Sequence, residues 1–269
     1  MQAAHARHGD GSTRMAFPLA DFPPLALIAA PVVVLAAYVV FGITGFGATV
    51  IIVPLLAQLL PLKFLVPLCV LLDLSAFILL SAQRGGQLDR AEVRWLLPFM
   101  LLGILIGAVA LARAPEHWLL LGLGLFVTGY ALLSLTAFRL HGATIARGWG
   151  APLGIAGGIA SALFGIGGPL YAIYVTRRVG EAGAMRATMS TLILMSGLTR
   201  FVMFIASGLL LSWPVATAWV LLLPCVLGGA MLGIRLHDRL ALDQVRRIIY
   251  VVLLLSGAAL IARALTAPG

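Results

Sequence analysis

Two charged residues lie inside long apolar runs of this 269-residue chain: Asp73, near the middle of Leu62 to Ala82, and Arg200, within Leu192 to Ser207. An ionised side chain at the centre of a bilayer costs at least about 2.5 kcal/mol to insert, so each is a functional hypothesis by default. Asp73 could carry a proton through a transport cycle; the competing reading is a buried carboxyl held neutral or paired for structure. Arg200 could pair with an anion or with Asp73, whereas an arginine towards a helix end can also snorkel to the headgroups. The third chemical feature is backbone. Gly165, Gly167, Gly168 and Pro169 interrupt SALFGIGGPLYAIY (Ser161 to Tyr174), and Gly42, Gly45 and Gly47 interrupt an earlier run at GITGFG. Each glycine weakens a helix and the proline cannot carry its hydrogen bond, so a helix should break at both places. Broken backbone at membrane depth is tolerated only where protein covers it or where it lines a polar cavity. Helix N-termini there would offer free amides and about half a unit of positive charge to an oxyanion, and glycines let the ligand approach closely.

The candidate substrate-binding residues are therefore Gly45, Phe46, Gly47, Gly165, Ile166, Gly167, Gly168, Tyr171, Tyr174 and Arg200, with Asp73 as the candidate for proton coupling. Phe46, Phe164, Tyr171 and Tyr174 bring more aromatic surface to the breaks than a small ion requires, which points to a bulky or aromatic anion; core or lipid packing is the competing reading. Thr188, Ser190, Thr191, Ser196 and Thr199 put hydroxyls into one span, either lining a cavity or bonding their own backbone.

Other chemistries fit poorly. All five histidines (5, 8, 117, 141 and 237) fall in the N-terminal stretch or in loops, and no GxSG-type segment occurs, so an intramembrane hydrolase lacks its nucleophile and base. The paired histidines of the N-terminal stretch are two ligands short of a metal site. No cofactor is expected. Cys69 and Cys225 sit in apolar runs as small packing residues. A non-transporting membrane scaffold would explain the hydrophobicity but not two breaks at membrane depth.

Hydrophobic residues make up 62% of the chain and charged ones 10%, and several runs reach the roughly 20 residues that cross a bilayer core. The fold expected is an all-α polytopic integral membrane protein. The excess of Lys and Arg over Asp and Glu, 18 to 9, sits in short loops and reads as membrane anchoring, with lipid and a small anion as partners and no nucleic acid. The oligomeric state is left open. Residues 1–24 read as a mobile tail. A single transport domain, 25–269, follows, made of repeat one (25–140) and repeat two (150–265). Its expected elements are a broken one from Leu25 to Leu60, spans at Leu62 to Ala82, Trp95 to Ala112 and Trp118 to Phe138, a second broken one from Ala151 to Thr176, and spans at Gly183 to Ser207, Trp213 to Leu236 and Val245 to Leu265. Gln83 to Arg94 is read as a polar loop.

Leu96, Leu97, Pro98, Leu101, Gly103 and Gly107 recur 126 positions later at Leu222, Leu223, Pro224, Leu227, Gly229 and Gly233, and Gly45-x-Gly47 recurs 120 positions later at Gly165-x-Gly167. Duplicated interrupted helices point to a secondary transporter and to the place of its substrate. If every element crossed once, the basic loop residues would split eight to nine, against the positive-inside rule. If Ala151 to Thr176 dips in and returns, the split is fourteen to three, with Lys63, Arg113 and Arg263 outside. The halves are then an inverted repeat. By symmetry the first break should dip too, which gives twelve to five and puts the N-terminus outside.

Two glycine-rich G-F/I-G elements opening two similar halves, together with RATMSTLILMSGLTRF (Arg186 to Phe201), resemble the TauE/SafE family of membrane permeases. The second copy, FGIGGPLY, is close to the family pattern. The first, TGFGATVIIVPLL, is looser, and Val66 to Leu72 lacks the small-residue signature expected after it. The resemblance implies transport of an organosulfonate or related sulfur oxyanion across a bacterial inner membrane, with sulfite or sulfoacetate export as the alternative.

Overall fold

A computed structural model of the chain describes residues 23–45, 47–80, 88–136, 144–210, 212–236 and 242–266. These form ten α-helices and no strand: α1 Pro24–Thr44, α2 Ala48–Leu56, α3 Leu62–Leu80, α4 Arg90–Arg113, α5 Glu116–Thr136, α6 Gly150–Phe164, α7 Gly168–Arg178, α8 Ala182–Ala206, α9 Trp213–Leu236 and α10 Leu242–Thr266. Six of them are long and apolar enough to cross a membrane, and large hydrophobic side chains such as Ile28, Leu102, Leu133, Val202 and Leu255 cover the outside. The interior holds the aromatic and aliphatic core around Tyr38, Phe41, Leu65, Tyr171 and Phe204.

Both predicted breaks are present. α1 ends on Gly45 at φ 81°, and α2 starts from Gly47 at φ 95°. α6 ends on Gly165 at φ 74°, whose amide donates to the Ser161 carbonyl (2.8 Å) while Ile166 donates to Ala160 (3.3 Å), a left-handed C-terminal cap that glycine reaches without penalty. α7 starts two residues later with Pro169 in its first turn, where a missing N–H is harmless. Pro54 sits inside α2. The polar loop expected at Gln83 to Arg94 ends earlier, before α4. Asp89 caps α4 by accepting from the Ala91 and Glu92 amides (both 3.1 Å), so the helix begins at Arg90 and takes Glu92 into the bundle.

The close helix contacts repeat with the same two shifts as the sequence. Gly103 of α4 faces Ile155 and Gly158 of α6, and Gly107 faces Ile159 and Ala162; in the repeat-related pair Gly229 of α9 faces Leu35, Tyr38 and Val39 of α1, and Gly233 faces Val39 and Gly42. A methyl group at Gly107 would stand 2.8 Å from the Ile159 carbonyl oxygen, and one at Gly229 2.6 Å from that of Leu35, so these GxxxG pairs permit backbone contact. In both pairs the numbers rise together, so α4 runs parallel to α6 and α1 to α9. α5 and α10 run antiparallel, because Gly124 faces Gly257 and Ile261 while Gly257 faces Thr128.

Each break returns the chain to the face it left. Glu92 lies 2.9 Å from Arg178, at the end of α7, and 3.7 Å from Arg147, just before α6. At the opposite face Arg263, at the end of α10, donates to the Ala57 carbonyl (3.1 Å) and to that of Gln58, just after α2. There α3 starts beside α4 and α5, with the Leu62 amide on Glu116 (2.7 Å) and Lys63 on Ala112 (3.2 Å). Hence α1–α2 and α6–α7 are two hairpins, pointing into the bundle from opposite faces.

Candidate functional site

The tips of the two hairpins meet. A methyl group on Gly165 would collide with Thr49 Cγ2, and both N-termini of the short helices, Gly47 and Thr49 of α2 and Gly167, Gly168 and Pro169 of α7, line one cavity. Its empty volume, with the open space at its mouth included, is about 460 Å³. The first N–H groups of a helix lack intrahelical acceptors, so the cavity receives two sets of donors and two positive dipole ends.

Two charged side chains complete the walls from the spans that follow each hairpin. Asp73 of α3 accepts hydrogen bonds from Tyr38 of α1 (2.9 Å) and Thr49 of α2 (2.6 Å), which fastens the first hairpin to its span. Arg200 of α8 is 3% exposed, and its Nη1 donates to the Ser161 carbonyl at the end of α6 (3.3 Å). Its Nε has no hydrogen-bond acceptor. Arg200 therefore does not snorkel; it is a buried cation at the cavity with donor capacity to spare. Ser161 and Ser196 hydroxyls pair at 2.6 Å on the same wall, and Phe41, Val50, Phe77 and Ile193 form the apolar side, with the Phe41 and Phe77 rings edge to face at 5.7 Å.

Of the residues singled out from sequence, Gly47, Gly165, Gly167, Gly168, Tyr171, Asp73 and Arg200 come together here. Gly45 and Ile166 stand just behind the tips, their amides spent on helix ends at Phe41 (2.6 Å) and Ala160. Phe46 lies outside the described residues. Tyr174 is displaced from the role expected of it: one turn beyond Tyr171, it donates its hydroxyl to Glu92 (2.5 Å) and closes the hairpin's open end. Around it Trp95 Nε1 donates to the Arg147 carbonyl (2.9 Å), and the Arg147 guanidinium stacks 5.1 Å from the Trp95 ring. The Glu92 hydrogen bond and charge hold the Arg178 guanidinium above its ordinary value.

Sequence reading missed Thr49, Ser161 and Tyr38. Thr49 lies two residues beyond Gly47, and Ser161 four residues, one helical turn, before Gly165, so both could have been placed at the tips.

A family model described as "Sulfite exporter TauE/SafE" matches residues 29–260. The chain belongs to the TauE/SafE family. It is also 29% identical over 203 residues, 72% of this chain and 81% of the relative, to the "Probable inner membrane transporter protein TsaS" of Comamonas testosteroni. No solved structure matches. This TauE/SafE chain is thus a multi-pass inner-membrane transporter, and its two breaks and the cavity between them fall within the matched region.

Proposed function

We propose that the chain is a secondary transporter for an organosulfonate or related sulfur oxyanion and has no enzymatic activity. The supporting observation is that both half-helix N-termini and the spare donor of Arg200 line one cavity. The anionic group lies against Gly167, Gly168 and the first turn of α2, and Arg200 supplies the countercharge. Phe41, Phe77 and Tyr171 offer an aromatic wall for an organic, including an aryl, substituent. The family description names sulfite, so sulfite or sulfoacetate export remains the second reading.

The reading includes a coupling route. An anion lodged beside Asp73 is repelled unless that carboxyl carries a proton, so anion and proton bind together and sulfonate affinity rises as pH falls. The two halves, inverted with respect to one another, rock about the shared cavity to expose it to either side. On the described residues, Arg90, Arg94, Arg147, Arg177, Arg178, Arg186 and Arg235 share one face against Lys63, Arg113 and Arg263 on the other, and the positive-inside rule supports a cytoplasmic Glu92 face.

Flux of labelled sulfonate, sulfoacetate and sulfite into proteoliposomes tests the reading. Saturable uptake of a sulfonate, enhanced by an imposed proton gradient, is expected; no uptake of any of the three overturns it. Cysteines placed at 147 and 177 should label from the same side, and labelling from opposite sides would remove the inverted arrangement.

A further inference from the structure

A second cavity, about 630 Å³ of empty space with its mouth, lies between α1, α2, α3 and α9, towards the face of Lys63, Arg113 and Arg263. Its wall is wholly apolar. The two repeat shifts say what occupies the same place in the other half. Ala218 and Leu221, on the α9 wall, correspond to Glu92 and Trp95 of α4; Leu27 and Ala30, on the α1 wall, correspond to Arg147 and Gly150. Around Gly150 the space is full: a methyl group there would sit 2.8 Å from Trp95 Nε1 and 3.1 Å from the Tyr174 ring. At Ala30 the corresponding residues are Leu221 and Pro54, smaller than Trp95 and Tyr174, and part of that volume stays open.

We propose that an acyl chain of a membrane phospholipid, from the leaflet on that side, occupies this cavity and replaces the side chains that close the other hairpin. An apolar void of this kind does not hold water, and left empty it forfeits the dispersion contacts of its lining. Its mouth is set between Leu27 and Leu221, 54% and 66% exposed on helices long enough to span, so the medium at the opening is hydrocarbon. The inner wall reaches Leu65, Leu68 and Leu72, at most 2% exposed, and the back of α2 at Ile52 and Leu56. The chain would therefore support the first hairpin from behind, on the side away from Thr49.

The test uses the whole protein in detergent-free proteoliposomes of phosphatidylethanolamine and phosphatidylglycerol, the latter carrying a diazirine near the end of one acyl chain. After irradiation, covalent label is expected on the buried residues Leu65, Leu68 or Leu72, which a surface lipid cannot reach. Ala218→Trp should abolish that internal label and leave the label on lipid-facing Leu27 and Leu221 in place. If the filling residue prevents folding, Leu68→Phe is the smaller filler, with a several-fold drop expected, and the wild-type map stands alone. Label confined to the outer surface of the wild type overturns the proposal, as does internal label that neither filling variant reduces.

Discussion

At their tips the hairpins α1–α2 and α6–α7 do the same thing: each ends its first helix on a positive-φ glycine and aims the N-terminus of its second at the common cavity. At their open ends they part company. The second is closed by a polar cluster in which Glu92 gathers Tyr174, Arg178 and Arg147. The first has Ala218, Pro54 and Leu27 in the places of Glu92, Tyr174 and Arg147, the uncharged Gln58 in that of Arg178, and only carbonyls at the end of α2 for Arg263 to grip. They also differ in how the following span holds them, by an acid in the first (Asp73) and by a base in the second (Arg200). The two hairpins thus share the geometry that builds the cavity and differ in polarity at their open ends. That difference makes the α6–α7 hairpin the better anchored of the two, and α1–α2 the one expected to move.

The tips themselves are not equally tolerant, and that gives the largest expected effect. Gly167→Leu would drive its Cβ to 2.6 Å from the Gly157 carbonyl oxygen and 2.7 Å from Ser161 Cβ, so sulfonate binding should fall below detection by isothermal titration of the purified protein. Gly165→Ala adds a collision with Thr49 to about 1–2 kcal/mol of left-handed backbone strain. Gly45→Ala carries the strain alone, because nothing lies within 4 Å of its Cβ, and should weaken binding by about tenfold. Unchanged affinity in Gly167→Leu would remove the assignment of α7 to the anion site; equal losses at Gly45 and Gly165 would remove the asymmetry.

Next comes the acid against the base. Asp73→Asn keeps an acceptor for one of Tyr38 and Thr49 but cannot take up a proton, so proton-gradient stimulation of uptake should vanish and the rise of affinity at low pH should flatten. Uptake by Asp73→Asn that still follows the pH gradient would remove the coupling role. The open end of the second hairpin follows. Tyr174→Phe deletes one bond to a buried carboxylate, a loss of about 1.5–3 kcal/mol read as a lower midpoint of thermal unfolding. Glu92→Gln, which also releases Arg178 and Arg147, should lower the midpoint further.

Much of this was legible in the amino acids because the signals are local. Apolar runs give the spans, glycine and proline give the breaks, and the recurring motif spacings anticipate the contacts of Gly103 with Gly158 and Gly229 with Tyr38. What the chain order conceals is pairing over distance. Glu92 looked like part of a polar loop, since nothing near it in sequence says that Tyr174, 82 positions on, will need an acceptor. Tyr174 looked like part of the cavity because it lies one turn from Tyr171, yet that turn carries it from the tip to the open end of a helix of 11 residues. The alternative of a snorkelling Arg200 fails for a related reason: its place in the run is near one end, but the Ser161 carbonyl that holds it inside, already taken by the Gly165 amide, lies 39 positions away.

The smallest expected effect addresses the open end of the first hairpin. Arg263 donates to the Ala57 and Gln58 carbonyls, where the C-terminal dipole of α2 favours a cation by about 0.3–1 kcal/mol in an exposed setting. Arg263→Gln should therefore shift the unfolding midpoint less than Tyr174→Phe does, because a partly exposed cap is replaceable by water and a buried carboxylate bond is not. Its effect on motion should be the larger of the two. With no other charged side chain found at the end of α2 among the described residues, release of Arg263 leaves that hairpin held by Asp73 and by apolar packing, and hydrogen exchange across residues 48–58 should speed up while exchange across 168–178 stays unchanged. Equal acceleration of both segments would mean that the hairpins move as one body, and the polarity of their open ends would then have no bearing on which of them opens the cavity.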